Sequence, residues 1–396
     1  MYNKKSIKDM DVEGKRVFVR VDFNVPLNSK GEITDDNRIV QTLPTIKYLI
    51  EHKAKVILCS HLGRPDGKVM PEFSLKPVAD RLRKLLNMPI LFSSDVVGTQ
   101  THKLVKVMEP GEVVLIENVR FEKGEEENDP AFARQLSSIA DIFCSDAFGT
   151  VHRAHASTAG IAKFMPACAG LLVERELEVL DKLLASPKRP FVVVLGGAKV
   201  KDKIGMISTF VNKADTIIVG GAMAYTFLKA KGFSVGKSLV EDDKVELARL
   251  LLEKAEGLGV KVLLPVDNVV ARDISFMAAT TVVPTDAIPK DEMGLDIGPK
   301  TATLYCNEIA RAKTVVWNGP MGVVEYQDFA QGTNAVAYAI SDNKGTTIVA
   351  GGDSAAVLSS LGLQDRVTHV STGGGAALTL MEGKSLPGID VLADNI

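Results

Sequence analysis

The sequence predicts an α/β fold of two domains, each built on a parallel sheet flanked by helices. At 396 residues the chain is too long for one typical hydrophobic core. Short β-branched runs alternate with amphipathic helical stretches, which is the pattern of parallel strands joined by crossover helices. Ten such runs are many for one parallel sheet, so two sheets fit better. Both domains are therefore expected to be Rossmann-like, with a linking helix between them.

The ten strand candidates are spread over both halves of the chain. Those of the first half are RVFVRVDF, AKVILCS, EVVLIENV and DIFCSDA. Those of the second half are FVVVLGG, TIIVGG, VKVLLPVD, TVVWNG, TTIVAGG and VTHVSTGG. Helical patterns such as DKVELARLLLEKAEGLG lie between them.

A single stretch in the middle of the chain predicts the domain boundary. LLVERELEVLDKLLASPKRP has apolar residues at helical spacing and charges on its other face, and Pro187 ends it. We therefore expect an N-terminal domain over 1–170, a linking helix over 171–186 and a C-terminal domain over 187–380. The tail, 381–396, is expected to leave the last helix and pack back on the N-terminal domain.

Composition excludes several classes of protein. The net charge of −2 provides no overall basic field for nucleic acid or an anionic membrane. No apolar signal core is present, and no run reaches the roughly 18 apolar residues of a membrane span. The four cysteines form no C-x-x-C pair, so reduced, mostly buried thiols in a cytoplasmic protein are expected. The acidic EKGEEEND, 122–129, is expected to be a solvated loop.

The stretch KAKGFSVGKSLVED, 229–242, contains two short sequence patterns that resemble catalytic motifs. A G-x-S-x-G nucleophile elbow follows a strand, whereas a helical pattern precedes this one. A P-loop has four residues between its glycines, whereas Gly232 and Gly236 are separated by three. We therefore expect a helix end and a turn here, and no catalytic role.

Polar residues on the first strand indicate a binding site. In VFVRVDFNVP, 17–26, Arg20, Asp22 and Asn24 share one face, although a strand in a two-sided parallel sheet should be apolar on both faces. A half-exposed edge strand is the alternative. Ligands of open α/β sheets bind beyond the carboxyl ends of the strands, where these residues would lie.

Basic residues follow the other N-terminal strands as well. They are His61 and Arg64 in SHLGRP, Arg120 in ENVRF, and His152, Arg153 and His155 in FGTVHRAHAS, with Arg38 in the loop TDDNRI. Guanidinium groups pair with phosphate or carboxylate, so several of them at one sheet edge predict an anion pocket. With Asp22 and Asn24 accepting from hydroxyls, the pocket suits a small phosphorylated hydroxy acid.

Glycine ends the strands of the second half. The clusters are Gly196–Gly197, Gly220–Gly221, Gly319, Gly351–Gly352 and Gly373–Gly375. Two of them lead into helices, whose free N–H groups attract anions. Lys199 and Lys203 follow another such turn, and Asp353 is placed to hold Mg²⁺ beside nucleotide phosphates. This pattern predicts a nucleotide site.

Together these motifs resemble the phosphoglycerate kinase family. VFVRVDFNVP, SHLGRP, ENVRF, FGTVHRAHAS, LGGAKVKDKI, WNGPMGVVE, GGDSAAV and STGGGAALTLMEGKSLPG match its blocks in order across nearly the whole chain. The resemblance implies reversible transfer of the acyl phosphate of 1,3-bisphosphoglycerate to ADP, giving 3-phosphoglycerate and ATP in glycolysis. It also implies Mg²⁺ bound with the nucleotide, and a monomer.

The resemblance assigns site residues to each domain. On the 3-phosphoglycerate side it implies Asp22, Phe23, Asn24, Arg38, His61, Leu62, Gly63, Arg64, Arg120 and Arg153. On the nucleotide side it implies Lys203, Gly220, Gly221, Gly294, Asn318, Pro320, Glu325, Gly351, Gly352, Asp353 and Ser354, with Asp353 on the metal and Glu325 on the ribose. Arg38, Lys199 and the helix start at Gly374 would surround the phosphoryl group in transfer, on closure of the two domains.

Two other functions are weighed against this one. A nicotinamide dehydrogenase would carry G-x-G-x-x-G after an early strand, but the first strand here ends in RVDFNVP. A non-catalytic, two-lobed sugar-phosphate or nucleotide binding protein would leave Lys199 and Asp353 without a purpose. Because the nucleophile of the expected reaction is a carboxylate, His61, His152 and His155 need not act in acid–base catalysis.

Overall fold

Two six-stranded parallel sheets form the framework of the structure, a computed structural model that describes residues 2–395. The chain divides into two units, Met1–Asp181 with Ser385–Ile396, and Lys182–Lys384. Each unit contains one of these sheets. The division falls inside the helix Leu171–Ala185, within the stretch predicted to link the domains.

In the first unit, helices cover a sheet whose central strand is the polar-patterned one. The strands are β1 (Arg16–Val21), β2 (Lys55–Cys59), β3 (Leu91–Phe92), β4 (Val113–Leu115), β5 (Ile142–Asp146) and β6 (Ala167–Ala169). The helices are α1 (Asn37–Glu51), α2 (Lys76–Leu86), α3 (Thr99–Val107), α4 (Pro130–Ser138) and α5 (Leu171–Ala185). The strand order is β3-β4-β2-β1-β5-β6, so β1 lies in the middle and the edge-strand alternative is wrong.

In the second unit, the parallel sheet has the order of a doubly wound fold. The strands of the unit are β7 (Phe191–Leu195), β8 (Thr216–Val219), β9 (Lys261–Leu263), β10 (Asp267–Ala271), β11 (Thr281–Pro284), β12 (Met293–Ile297), β13 (Thr314–Asn318), β14 (Thr346–Ala350) and β15 (His369–Val370). The helices are α6 (Ile204–Phe210), α7 (Met223–Ala230), α8 (Val245–Gly257), α9 (Pro299–Arg311), α10 (Gln331–Asp342), α11 (Gly352–Ser360) and α12 (Gly375–Met381). The order β15-β14-β13-β7-β8-β9 reverses direction between β7 and β13, where such sheets bind ligands.

A small antiparallel sheet, β11-β10-β12, is absent from the sequence prediction. The stretch VKVLLPVD reads as one strand, but β9 ends at Leu263 and β10 begins at Asp267 in the other sheet. Pro265 lies between them, and proline cannot donate a ladder hydrogen bond. The fold class is as predicted, with this sheet added to it.

The tail from Ser385 onward belongs to the first unit. After the short helix α13 (Pro387–Asp390), the N–H of Ala393 donates to the carbonyl of Ala167 at 3.0 Å. Lys4 and Asp394 form an ion pair at 2.8 Å. The tail is thus held to the N-terminal residues and to β6 of the same unit.

The stretch at 229–242, which resembles two catalytic motifs, follows a helix, as its sequence context predicts. α7 ends at Ala230, and Gly232 has a φ of +88°, a left-handed conformation that suits a helix end. No strand leads into the stretch. Among residues 2–395, no helix has the length and apolarity to cross a membrane.

A buried carboxyl group holds the start of α5. Oδ1 of Asp146, at the end of β5, accepts from the N–H groups of Leu172 at 2.9 Å and Val173 at 3.4 Å. Asp146 is completely buried, and Gly170 lies so close that a Cβ there would overlap its carboxyl group. Burial raises the pKa of Asp146 to about 7, although the hydrogen bonds it accepts oppose the rise.

We expect Asp146 to make the first unit less stable as the pH rises from about 4 to about 7. Because its pKa is raised in the folded state, the folded protein binds the proton more tightly than the unfolded chain, and this stabilisation is lost as the pH passes the folded value. The shift corresponds to on the order of 4 kcal/mol. Urea unfolding from pH 4 to 8 should show a flatter pH profile for Asp146→Asn. An unchanged profile in that variant would contradict the assignment.

Candidate active site

The carboxyl end of the first sheet gathers the polar residues predicted from sequence. In the parallel register Arg20 lies beside Cys59 and Val21 beside Asp146, so the segments that follow β1, β2 and β5 leave the sheet at one edge. The segments that start there are Asp22 to Asn24, Ser60 to Arg64 and 147–155. The segment Asn118 to Arg120 follows β4, which pairs with β2 in the same sheet. The predicted anion-binding residues are thus neighbours in the fold.

Arg20 is the buried centre of this edge. It is 1 % exposed, and its guanidinium donates to Ser157 Oγ at 2.7 Å and lies 3.3 Å from His61 Nδ1. Ser157 Oγ in turn donates to Glu125 Oε1 at 2.6 Å. Glu125 is completely buried, so the acidic stretch 122–129 is not wholly a solvated loop, contrary to prediction. A buried arginine needs a counter-charge, and Glu125 supplies it through Ser157.

Burial and four nearby arginines hold the pKa of His61 down. His61 is 4 % exposed, and burial is the main cause that lowers its pKa well below the ordinary value. The positive charges of Arg20, Arg120, Arg38 and Arg153 lower this pKa further, in that order. The pKa of His155 falls to about 4 through burial and three of these arginines. The positive charge of this edge therefore comes from its arginines, and the two histidines do not add to it near neutral pH.

Hydrogen bonds between side chains and backbone groups fix the loop after β2 against its neighbours. The N–H of Gly63 donates to Asn24 Oδ1 at 2.9 Å, and Arg120 Nη1 donates to the carbonyl of Gly63 at 2.9 Å. Asn118, not singled out from the sequence, holds Leu62 from both sides, at 3.2 Å and 2.7 Å. Leu62 and Gly63 thus belong to the scaffold of the pocket.

The remaining residues of this side differ in exposure. Phe23 is buried, and its N–H donates to Ser60 Oγ at 2.8 Å. Arg38 is half-exposed and its Nη1 lies 2.6 Å from Asp22 Oδ2. Arg64 is exposed and Arg153 is half-buried. Arg38, Arg64 and Arg153 therefore have guanidinium surface available to a ligand.

In the second unit, the strand-end glycines pack against one another. The N–H of Gly197 donates to the carbonyl of Pro320 at 2.9 Å, and that of Gly221 to the carbonyl of Met321 at 2.9 Å. A Cβ on Gly196 would overlap the Pro320 carbonyl, and one on Gly221 would lie 2.5 Å from the nitrogen of Gly197. Gly196, Gly221 and Gly319 are required by close contact between backbones and Gly220 by the Met321 side chain, whereas the sequence suggested close contact with a ligand.

We expect Gly196→Ala to destabilise the second unit by about 1–3 kcal/mol, because a methyl group must displace backbone that cannot rotate away. Gly352→Ala is the matched control, since a Cβ there meets nothing within 4 Å and should be neutral or stabilising by about 0.4–1 kcal/mol. The melting temperature should fall in Gly196→Ala and stay the same or rise in Gly352→Ala. Equal melting temperatures would contradict the packing argument.

Lys203 and Asn318 lie at the reversal point of the second sheet. Lys203 Nζ donates to Asn318 Oδ1, and Asn318 Nδ2 donates to the carbonyl of Ala350 at 2.8 Å. Burial lowers the pKa of Lys203, and nearby Asp202, Asp353 and Glu382 oppose that change. Ser354 Oγ accepts from the N–H of Gly319 at 2.7 Å. These side chains therefore connect the ends of β7, β13 and β14.

Other nucleotide-side residues lie around this group or apart from it. Gly351, with a φ of +93°, precedes α11, and Gly374, with a φ of +46°, precedes α12. Glu325 is exposed and Pro320 is half-buried. Gly294 is buried in β12, outside the parallel sheet, where a Cβ would overlap Tyr225.

Lys199 stands immediately before the helical turn Val200–Asp202. Its side chain is exposed and forms no hydrogen bond or ion pair with any of the residues described. Arg38 and Lys199 belong to different units.

Asp353 is an exposed carboxylate in the first turn of α11. Within residues 2–395 no group of three or more His, Cys, Asp or Glu could hold a metal by itself. A single accessible carboxylate fits Mg²⁺, which commonly takes one or two carboxylates and completes its shell with phosphates and water.

Comparisons with known proteins agree with this arrangement. A family profile described as phosphoglycerate kinase matches residues 7–384. Phosphoglycerate kinases of Clostridium novyi and Thermosipho africanus are each 55% identical to the chain, over 99% of it and over 99% and 98% of their own lengths. A solved structure of phosphoglycerate kinase from Coxiella burnetii is 45% identical, covers 98% of both chains and has a TM-score of 0.90.

The chain belongs to the phosphoglycerate kinase family. As a member of the phosphoglycerate kinase family it is a nucleotide-dependent kinase of glycolysis that transfers a phosphoryl group to a carboxyl group. Neither the dehydrogenase nor the non-catalytic binding protein is favoured by these matches.

Proposed function

We propose that the chain transfers the acyl phosphate of 1,3-bisphosphoglycerate to ADP, reversibly, with the glycerate ligand on the first unit and the nucleotide on the second. The observation that carries the proposal is the group of arginines at the carboxyl end of the first sheet, where Arg20 lies 3.3 Å from the buried His61. Arg38 and Arg120 already have the carboxylate partners Asp22 and Glu126, whereas Arg64 and Arg153 form no ion pair with the residues described. The free guanidinium groups suit a ligand with two anionic ends, and 3-phosphoglycerate has a phosphate and a carboxylate.

On the first unit, arginines would bind the anionic ends and Asp22 and Asn24 the hydroxyl. Arg64, Arg120 and Arg153 are assigned to the phosphate and carboxylate, with His61 as a hydrogen-bonding neighbour. Phe23, Leu62 and Gly63 shape the pocket through their backbone. Because the histidine pKa values are low, this binding should not depend on histidine protonation near neutral pH.

On the second unit, the edge around Lys203 would hold ADP or ATP. Lys203, Asn318, Ser354 and the start of α11 supply donors for phosphates. Gly220, Gly221, Gly294, Pro320 and Glu325 are assigned to base and ribose. Asp353 would hold Mg²⁺, which neutralises charge on the phosphate oxygens when bound.

Transfer needs positioning and positive charge more than covalent help. The carboxylate of 3-phosphoglycerate is ionised at neutral pH, so no general base is required in the direction of ATP consumption. Arg38, Lys199 and the helix start at Gly374 are assigned to the moving phosphoryl group. The two ligands must meet, so we propose closure of the units, which would also exclude water as a competing acceptor.

The chain is further proposed to act as a monomer in the cytoplasm, with no nucleic-acid or membrane partner. All four cysteines are free, as is usual in reducing compartments. The oligomeric state can be measured by light scattering of the purified protein.

A coupled assay of ATP formation from 1,3-bisphosphoglycerate and ADP tests the activity. Turnover that requires both substrates and Mg²⁺ supports the proposal, and its absence would overturn it. A crystal structure with 3-phosphoglycerate and a non-transferable ATP analogue tests the residue assignments. Ligands bound away from Arg38 and Lys203 would overturn those.

A further inference from the structure

The stretch at 229–242, which has no role in the proposed reaction so far, is attached to two parts of the second unit. At one end, the N–H of Lys237 donates to the carbonyl of Glu292 at 2.8 Å. Ser238 Oγ accepts from the N–H of Gly294 at 2.9 Å. Gly236 lies so close to the Pro289 carbonyl that a Cβ would overlap it. This end is thereby fixed against the start of β12.

At its other end, Glu241 reaches the loop that carries Lys199. The Glu241 carboxylate accepts from the N–H of Val200 and, at 3.4 Å, from that of Lys201. Its own N–H donates to Oγ1 of Thr226 at 3.1 Å, and Thr226 is buried on α7. Glu241 is half-buried, so its carboxylate is partly shielded from water.

The two amides begin the helical turn Val200–Asp202, which lies between Lys199 and Lys203. The first N–H groups of such a turn have no partner inside it, and the Lys199 side chain does not cap them. Glu241 therefore provides the cap from outside, as a charge-assisted acceptor. Without it, the turn that follows Lys199 would lose this attachment, and the loop would keep only the bond on the other side of Lys199, from the N–H of Met223 on α7 to the carbonyl of Gly197 at 3.0 Å.

We propose that Glu241 is a positioning residue for phosphoryl transfer, which holds the loop between Lys199 and Lys203 through the amides of Val200 and Lys201. The proposal rests on the role proposed above for Lys199. Glu241 itself is not expected to touch either ligand; it keeps the ammonium group of Lys199 where charge develops. Small displacements of such a group are costly because the transition state is bound more selectively than the substrates.

Steady-state kinetics of three variants of the full chain test this role. Glu241→Ala should lower kcat about tenfold and leave the KM for 3-phosphoglycerate unchanged. Glu241→Gln keeps an acceptor oxygen, so it should stay within about threefold of the parent kcat. Asp242→Asn is the matched control, because its carboxylate pairs with Lys229 at 2.7 Å and is not bonded to the loop. The control should retain the parent kcat.

Several results would overturn the proposal. They are an unchanged kcat in Glu241→Ala, a glutamine variant no better than the alanine one, and a lower nucleotide KM at unchanged kcat. The last would mean that Glu241 competes with phosphate for these amides. If Glu241→Ala does not fold, Thr226→Val tests the same attachment from α7 and should lower kcat in the same direction.

A double variant separates this proposal from the one on which it rests. In Lys199→Ala with Glu241→Ala, kcat should fall no further than in Lys199→Ala alone, because Glu241 acts through Lys199. A further tenfold fall would show an independent role and overturn the proposal. If Lys199→Ala alone retains kcat, the role of Lys199 fails and the positioning role fails with it. If only Glu241→Ala retains kcat, the role of Lys199 stands.

Discussion

Arg38→Ala is expected to lower kcat by about 10²–10³ while the fold and the affinity for nucleotide are retained. Arg38 is half-exposed on α1, and its guanidinium is held 2.6 Å from Asp22. A positive charge that is already oriented needs no rearrangement when the transferred phosphoryl group gains negative charge. Removal of the side chain takes away that charge without opening a cavity in the core.

Arg81→Ala is a close control for this experiment. Arg81 is also half-exposed, and its guanidinium lies 2.6 Å from Asp36. It has the same type of ion pair, but no part in the proposed site. Turnover of both variants should be measured with saturating substrates, and nucleotide affinity by calorimetry. If Arg38→Ala and Arg81→Ala kept similar turnover, Arg38 would have no catalytic role.

The fold class was predictable because most of the parallel strands are short β-branched runs between amphipathic helices. The run from Val17 to Val21 is one example. The strands of the antiparallel sheet do not show this pattern. β11 has mostly exposed residues and β12 contains Gly294, so neither has the apolar pattern of a buried strand. β3 and β6, of two and three residues, are too short to give a periodic signal.

The polar residues of the candidate site were predictable because parallel strands end at a common edge. Arg64, Arg120 and Arg153 are far apart in sequence, yet each follows a strand whose position in the sheet brings them together. The supporting residues were not predictable in this way. Glu125 lies in an acidic stretch that resembles a surface loop, and only the fold buries it beside Ser157.

The glycines show how one sequence signal has two physical causes. Glycine after a strand permits close approach, but the sequence does not say of what. At Gly196 and Gly221 the approaching group is another backbone segment, whereas Gly352 has open space beside it. Only the second situation leaves room for a phosphate near the start of α11. Both kinds of glycine contribute to the sequence prediction of a nucleotide site, and the structure shows which glycines have room for a ligand.

Lys199→Ala is expected to lower kcat by about 10²–10³ with little change in the KM for nucleotide. The ammonium group is exposed and has no partner in residues 2–395, so it is available to the phosphoryl group in transfer. An interaction made only in the transition state affects kcat, whereas one made equally with bound nucleotide affects KM. The division between the two constants therefore identifies what Lys199 contacts.

Lys201→Ala is the control, since it removes an equal charge from an exposed residue of the same loop. It should change kcat by less than about threefold, because long-range potential is screened at physiological salt. Comparison of the two variants separates a specific position from general positive charge. If both variants lost activity equally, the loop would act only through its net charge. If Lys199→Ala raised KM alone, Lys199 would be a nucleotide-binding residue, and Arg38 would remain as the cation assigned to the transferred group.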